Sequence, residues 1–106
     1  MQIVHYVSAS DVDVYQDWLD GIRDRTTRAR IARRVDRIKD GNFGDHEPCR
    51  DEVYELKIDF GPGYRVYYSR VGETVVLLLA GGDKSSQNKD IDKAVANLQD
   101  YKRRAK

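Results

Sequence analysis

Apolar residues recur along the first half of the chain at helical spacing, in two stripes. The first stripe consists of Tyr15, Trp18, Leu19 and Ile22. The second consists of Ile31, Ala32, Val35 and Ile38. Positions i, i+3, i+4 and i+7 share one helical face, so each stripe predicts an amphipathic helix. We expect the first helix over residues 11–21, with Ser10 as its N-cap, and the second to end at Gly41.

In the second half of the chain the apolar period falls to two residues, which is typical of strands. Val53–Phe60 and Tyr64–Val71 alternate between apolar and polar positions, whereas Thr74–Ala80 is apolar on both faces, as expected of a central strand. Gly61-Pro62-Gly63 and Gly72-Glu73 supply the turns between them. The pattern predicts a meander of three strands.

The remaining segments complete a β-α-α-β-β-β-α order. They are a first strand at Ile3–Val7, a loop over 41–48 and, after Gly81-Gly82-Asp83, a final helix from about Ser86 to Arg103. This order predicts an α+β fold, an antiparallel sheet with the two N-terminal helices packed on one face and a C-terminal helix. A chain of 106 residues fits a single domain over 1–106.

The hairpin around Pro62 brings polar side chains of two strands together. If the strands pair symmetrically about Pro62, Lys57 lies opposite Tyr67 and Asp59 lies opposite Arg65. We therefore expect a charged and aromatic patch outside the core. On sequence pattern alone, the better interpretation of the patch is an ordinary solvated strand face with an Asp59–Arg65 ion pair of small value.

Composition restricts the class of protein. Apolar residues make up 40% and charged residues 35%, no apolar run reaches the length of a membrane span, and Met1–Tyr6 lacks the features of a secretory signal. We expect a cytoplasmic protein that does not bind a membrane. Cys49 is the single cysteine, so neither an internal disulfide nor a cysteine metal cluster is expected, and nothing indicates a cofactor.

The net charge is only +1, but the charges are segregated along the chain. Residues 21–40 hold eight basic and three acidic side chains, an excess of 8 − 3 = +5, whereas 41–60 hold six acids against two bases. The second helix is a candidate for binding RNA phosphates through Arg30, Arg33, Arg34 and Arg37. A solvated helix face and a docking surface for an acidic protein remain alternatives.

Two motifs carry a resemblance to a known family. The first is Tyr54-Glu55-Leu56-Lys57-Ile58-Asp59-Phe60-Gly61-Pro62-Gly63-Tyr64-Arg65-Val66-Tyr67-Tyr68, and the second is Gly81-Gly82-Asp83-Lys84-Ser85. Together with the β-α-α-β-β-β-α element order, these motifs resemble the RelE/ParE superfamily of bacterial toxins, especially its HigB-like "addiction module killer" branch. The resemblance covers essentially the whole chain.

The resemblance implies a microbial RNase fold whose basic residues grip messenger RNA in the ribosomal A site. By position, Lys57 resembles the strand lysine of the family, Arg65 its Gly-Tyr-Arg arginine and Lys84 the basic residue after the last strand. Some members place a tyrosine near the start of the last helix, where this chain has Asp90 as the nearest candidate. The general acid and base are therefore open.

RNA cleavage by 2′-hydroxyl attack needs a proton acceptor, a proton donor and positive charge beside the phosphate. Lys57, Arg65 and Lys84 supply the charge, and because neighbouring cations lower the pKa of a lysine, Lys57 is a candidate base beside Asp90. Tyr67 could stack on an RNA base. For Lys84 and Asp90, loop and helix-cap roles remain an even alternative.

The resemblance and these residues predict that the protein is the toxin of a type II toxin-antitoxin system and acts as a ribosome-dependent mRNA endonuclease. Its expected partners are the ribosome, mRNA and a cognate antitoxin, of a HigA-like helix-turn-helix type by resemblance. On this hypothesis Arg65→Ala abolishes growth inhibition and leaves folding intact. The alternatives are a ParE-like inhibitor of DNA gyrase without nuclease activity, and an inactive homologue that acts only with its antitoxin.

Overall fold

The fold is built on one five-stranded sheet covered by helices on both faces. The computed structural model describes residues 1–105. Its elements are β1 (Gln2–His5), α1 (Val14–Asp20), α2 (Arg25–Asp36), β2 (His46–Arg50), β3 (Val53–Ile58), β4 (Tyr64–Val71), β5 (Val75–Asp83) and α3 (Gln87–Arg104). Short 3-10 turns follow α2 (Arg37–Asp40) and precede α3 (Lys84–Ser86). None of the helices within these residues has the length and apolar character needed to cross a bilayer.

The α+β class is confirmed, but the expectation of a wholly antiparallel sheet is wrong. The strand order is β1-β5-β4-β3-β2, and β1 runs parallel to β5, with Gln2 opposite Val75. Strands β2 to β5 are antiparallel and joined by short turns, which fix their direction. No turn links β1 to β5, so local sequence does not determine how that pair is oriented.

Two apolar clusters lie on opposite faces of the sheet. On one face, α1 packs through Tyr15 and Leu19, α2 through Ile31 and Val35, and the following 3-10 turn through Ile38, as predicted, whereas Ala32 of the second stripe is exposed. On the other face, α3 packs through Ala94, Val95 and Leu98 onto Tyr67, Leu77 and Leu79. The predicted burial of the last strand on both faces is confirmed. The expected patch outside the core is present only in part: Arg65 and Tyr67 are buried on the face that α3 covers, whereas Lys57 is half-buried and Asp59 is exposed.

The first helix begins later than predicted. Asp13 is its N-cap and accepts a hydrogen bond from Gln16 N at 3.1 Å, whereas the expected cap, Ser10, lies in the preceding turn. In that turn Asp11 has a left-handed backbone (φ 66°), which ends any helix there. The second helix ends as expected, because Gly41 takes the left-handed conformation after the 3-10 turn.

Strand β2 lies partly inside the segment predicted to be a loop. It pairs along the edge of β3, with an irregularity between Pro48 and Arg50. A proline lacks the amide proton of a strand ladder and is tolerated at a sheet edge. The β2–β3 turn uses Asp51 and Glu52 at positive φ (50° and 70°), without the glycine that usually marks such a turn.

Candidate functional site

The β3–β4 register differs from the prediction. Ile58 lies opposite Tyr64, so Lys57 faces Arg65 rather than Tyr67. The predicted register is wrong because the hairpin is centred on Gly61, which has a positive φ of 58°, and not on Pro62. The expected Asp59–Arg65 pairing therefore does not form, and the two candidate cations lie side by side on neighbouring strands.

Arg65 lies in the protein interior beside a carboxylate that the sequence did not single out. Arg65 is 7% exposed and Glu55 is 4% exposed, and Arg65 Nε lies 3.2 Å from Glu55 Oε2. Arg65 Nη1 donates to Tyr64 O at 3.1 Å, and Gln87 Nε2 donates to Glu55 Oε2 at 3.1 Å. The sequence did contain a signal for Glu55, because this residue is two positions before Lys57 and therefore lies on the same strand face.

Lys57 is also paired with a carboxylate. Its Nζ lies 2.7 Å from Oε2 of Glu47 on the edge strand β2. The hydrogen bond to Glu47 is the largest influence on Lys57 and raises its pKa above the ordinary value. The lowering of the Lys57 pKa by neighbouring cations was therefore the wrong expectation, because the sequence did not indicate that β2 carries Glu47 to this place.

Lys84 reaches the same region from beyond β5. Its backbone N–H donates to Gly63 O at 2.9 Å. A Cβ placed on Gly63 would lie 3.0 Å from Lys84 Cδ and 3.7 Å from Arg65 Nη1, so both side chains pass close to this glycine. Lys84 is exposed and forms no ion pair with residues 1–105.

Asp90 lies against the sheet beside Arg65. It is 7% exposed, and Ser86 Oγ donates to its Oδ2 at 2.5 Å. Gly82, the β5 partner of Arg65, makes this approach possible, because a Cβ there would lie 1.9 Å from Asp90 Oδ2. The Gly81-Gly82-Asp83 segment thus extends β5 beyond Ala80, where the predicted strand ended.

These contacts bring the four predicted catalytic residues to one side of the sheet. We define the central cluster as three cations with three carboxylates, namely Lys57, Arg65, Lys84, Glu47, Glu55 and Asp90. Their formal charges cancel, since 3 − 3 = 0. An incoming phosphate can bind Lys84 directly, whereas it must compete with a carboxylate for the other two cations.

Tyr67 does not have the role that its strand position predicted. Its side chain is fully buried under α3, and its hydroxyl makes no hydrogen bond within residues 1–105. Burial raises the pKa of Tyr67, and the nearby carboxylates of Glu55 and Asp90 raise it further. The hypothesis that Tyr67 stacks on an RNA base is wrong, because no face of the ring is accessible.

The four arginines of α2 line a separate groove. This α2 groove, of about 410 Å³, lies between α2 and the end of β3 and is lined by Arg30, Arg33, Arg34, Arg37, Asp45, Lys57, Ile58, Asp59 and Phe60. The Arg30 guanidinium lies over the Phe60 ring at 4.0 Å, and Arg34 Nη2 donates to Asp45 O at 3.1 Å. Burial lowers the pKa of Arg34. The structure thus groups the four arginines together, with only Lys57 shared with the central cluster.

A second cleft adjoins the central cluster through Glu55. This α3 cleft, of about 370 Å³, is lined by Cys49, Arg50, Glu55, Gln87, Asn88, Ile91 and Asp92. Burial raises the pKa of the Cys49 thiol to about 11, which keeps it protonated. No group of three or more histidine, cysteine, aspartate or glutamate side chains within residues 1–105 is arranged to hold a metal ion.

Comparison with known proteins gives a relative without an assigned function. No protein-family profile matches the chain. An uncharacterized protein of Haemophilus influenzae is 44% identical over 80 residues, which cover 76% of this chain and 81% of that protein. The chain belongs to the same family as this Haemophilus influenzae protein.

Proposed function

We propose that the protein is the toxin of a type II toxin-antitoxin system and cleaves mRNA on the ribosome. The observation that carries the proposal is the convergence of Lys57, Arg65, Lys84 and Asp90 on one side of the sheet. These residues come from two strands, a 3-10 turn and a helix. Lys57, Arg65 and Lys84 also lie in the motifs that resemble the RelE/ParE superfamily, whereas Asp90 stands near the place where some members have a tyrosine.

The central cluster offers the groups that 2′-hydroxyl attack on a phosphate requires. Lys84 and Arg65 are placed to stabilise the negative charge that develops on the phosphate. Lys57 carries a proton that it can donate to the leaving oxygen once substrate displaces Glu47, because pairing with Glu47 raises the Lys57 pKa and makes it a weaker acid. Glu55 pairs with Arg65, and Asp90 lies over Gly82, the β5 partner of Arg65, so either carboxylate is a candidate to accept the 2′-hydroxyl proton.

The α2 groove supports binding to the ribosome as a separate step. Its four arginines form no ion pair with residues 1–105, in contrast to Lys57 and Arg65. Arginine guanidinium groups bind phosphates without reading sequence, and such binding weakens steeply with salt. A cognate antitoxin of HigA-like type would hold the toxin inactive, by covering either the central cluster or this groove.

One observation favours a second function. Lys57 and Arg65 already have carboxylate partners, an arrangement suited to stabilising the fold as much as to binding a phosphate. A protein with such a cluster could act by binding alone. It would then be a ParE-like inhibitor of DNA gyrase, or a homologue that acts only with its antitoxin.

The test substitutes lysines and not Arg65. Arg65→Ala would leave the buried Glu55 without its cation, so a loss of activity could come from unfolding and not from lost catalysis. Lys57→Gln and Lys84→Gln are compared with Lys102→Gln, which breaks an exposed ion pair with Glu52. After induced expression, 5′ ends of messages are mapped. We expect codon-linked cuts with wild type and Lys102→Gln, and at least a tenfold loss with the other two, as one lost charge contact costs about 1.5–3 kcal/mol.

Other outcomes would assign the protein differently. Intact messages together with gyrase-dependent DNA breaks would support the gyrase inhibitor. Intact messages without any growth defect would support the inactive homologue. Cleavage that persists in both Lys57→Gln and Lys84→Gln would overturn the assignment of the central cluster as the active site.

A further inference from the structure

Both carboxylates that line the α3 cleft are paired with an arginine. Glu55 lies at its inner end, with the carboxylate paired to Arg65, and Asp92 is paired to Arg50. Each carboxylate thus has its own arginine. The cleft therefore has little electrostatic preference for an additional cation or anion, and it suits a neutral ligand with polar edges.

The remaining lining fits a flat polar ring. Gln87 and Asn88 bring side-chain amides from the first turn of α3, and Ile91 adds an apolar surface one turn further on. Amides both donate and accept hydrogen bonds, whereas an aliphatic side chain packs against a ring face. A nucleobase is a neutral ligand with this combination of a polar edge and an apolar face.

The carboxylate at the inner end distinguishes between bases. A carboxylate only accepts hydrogen bonds. Guanine presents two adjacent N–H donors, N1–H and the N2 amino group, on its Watson–Crick edge, whereas adenine presents a donor beside an acceptor. Gln87 Nε2 now lies 3.3 and 3.1 Å from the two Glu55 oxygens, where a ligand with two such donors would bind.

We propose that the α3 cleft binds a guanine base of the RNA substrate, with the Glu55 carboxylate accepting from guanine N1–H and N2–H. Gln87 then turns its amide to the O6 edge of the base. Because Glu55 also contacts Arg65, the base belongs to a nucleotide next to the phosphate held by the central cluster. This inference deepens the proposed nuclease function, rests on it and gives it a base preference. With Glu55 bound to guanine, Asp90 is the carboxylate left to accept the 2′-hydroxyl proton.

Nucleotide binding tests the cleft without requiring cleavage. GMP and AMP are titrated into the full chain by calorimetry. A bidentate contact to the correct base discriminates by about tenfold to a hundredfold, so GMP should bind tighter than AMP by that factor. Glu55→Gln replaces one acceptor by a donor and should shift the preference toward AMP. A merely structural Glu55 would not produce that shift.

A second pair of variants avoids the buried ion pair. Asn88→Phe places a ring in the cleft, and Lys89→Phe adds the same bulk to an adjacent exposed position outside its lining. Asn88→Phe should weaken GMP binding at least tenfold, whereas Lys89→Phe should leave it unchanged. Equal binding of GMP and AMP to wild type, or GMP binding unaffected by Asn88→Phe, would overturn the proposal.

The two proposals can fail separately. If messages are cut without enrichment of guanine near the cut, the nuclease stands and the guanine site does not. If the protein binds GMP selectively but cuts no message, the guanine site stands as a nucleotide-binding site and the nuclease does not.

Discussion

Glu55 and Arg65 form an ion pair between β3 and β4, with 3.2 Å between Oε2 and Nε and with both side chains almost fully buried. The Arg65 Nε–H makes no hydrogen bond within residues 1–105, so the contact with Glu55 is electrostatic at that atom. The residue most expected to bind phosphate therefore also neutralises a charge inside the fold. Its chemical and structural roles must be measured separately.

The Glu55–Arg65 pair should show strong coupling in stability. Glu55→Leu or Arg65→Leu alone leaves one buried charge unpaired and should cost about 3–5 kcal/mol of unfolding free energy. The double variant removes both charges and should be more stable than the sum of the single changes predicts. Denaturant unfolding of all four proteins measures this. Additive effects would show that the two side chains do not stabilise each other.

Gly81 should be intolerant of any side chain. A Cβ there would lie 2.1 Å from Trp18 Cε3, which packs flat against the strand from α1. We expect Gly81→Ala to cost roughly 1–3 kcal/mol through overpacking. Gly21→Ala is the matched control, because its Cβ would have no neighbour closer than 3.4 Å and its φ is negative. Trp18→Leu should partly rescue Gly81→Ala, and equal stability of both alanine variants would contradict the contact.

Four buried tyrosines should make the protein sensitive to alkali, namely Tyr6, Tyr15, Tyr67 and Tyr68, and burial raises the pKa of each. Burial raises the pKa of Tyr15 and Tyr68 from 10.0 to about 12 and raises that of Tyr67 as well. A raised folded-state pKa means that the unfolded chain loses its protons first, so this stabilisation is complete below pH 10 and is lost as pH rises toward 12. Tyrosinate absorbance should therefore develop in two phases, the second together with loss of near-ultraviolet circular dichroism. A single early phase would contradict the burial.

The alternation of β3 and β4 was predictable because side chains on a strand point to opposite faces with a period of two. Arg65 and Tyr67 accordingly share a face. Whether that face is buried depends on α3, whose apolar residues Ala94 and Leu98 are far along the chain and pack over it. Local patterns predicted the elements and their faces, but tertiary packing decided the exposure of Tyr67.

The residues of the candidate site could be named from the sequence, but the carboxylate partner of each cation could not. The motifs identified Lys57, Arg65 and Lys84, Asp90 was the nearest candidate in the last helix, and the fold brings these candidate residues together. Their carboxylate partners depend on a hairpin register that shifts with the turn, and on an edge strand hidden by Pro48 and by a turn without glycine. Neither feature has a strong signal in the local sequence, so the partner of each cation could be identified only from the structure.

Glu47 should restrain Lys57 in the free protein. Glu47 lies on the edge strand β2, and its Oε2 is 2.7 Å from Lys57 Nζ. This pairing raises the Lys57 pKa above its ordinary value of 10.5. Glu47→Gln removes the negative charge, so the Lys57 pKa should fall toward its ordinary value and a short RNA should bind more tightly, most clearly at low salt. Side-chain NMR titration of Lys57 and RNA binding at two salt concentrations measure both effects. Glu52→Gln, which breaks the Lys102 pair, is the control and should change neither quantity. If Glu47→Gln lowers the pKa and leaves RNA binding unchanged, Lys57 does not contact the RNA.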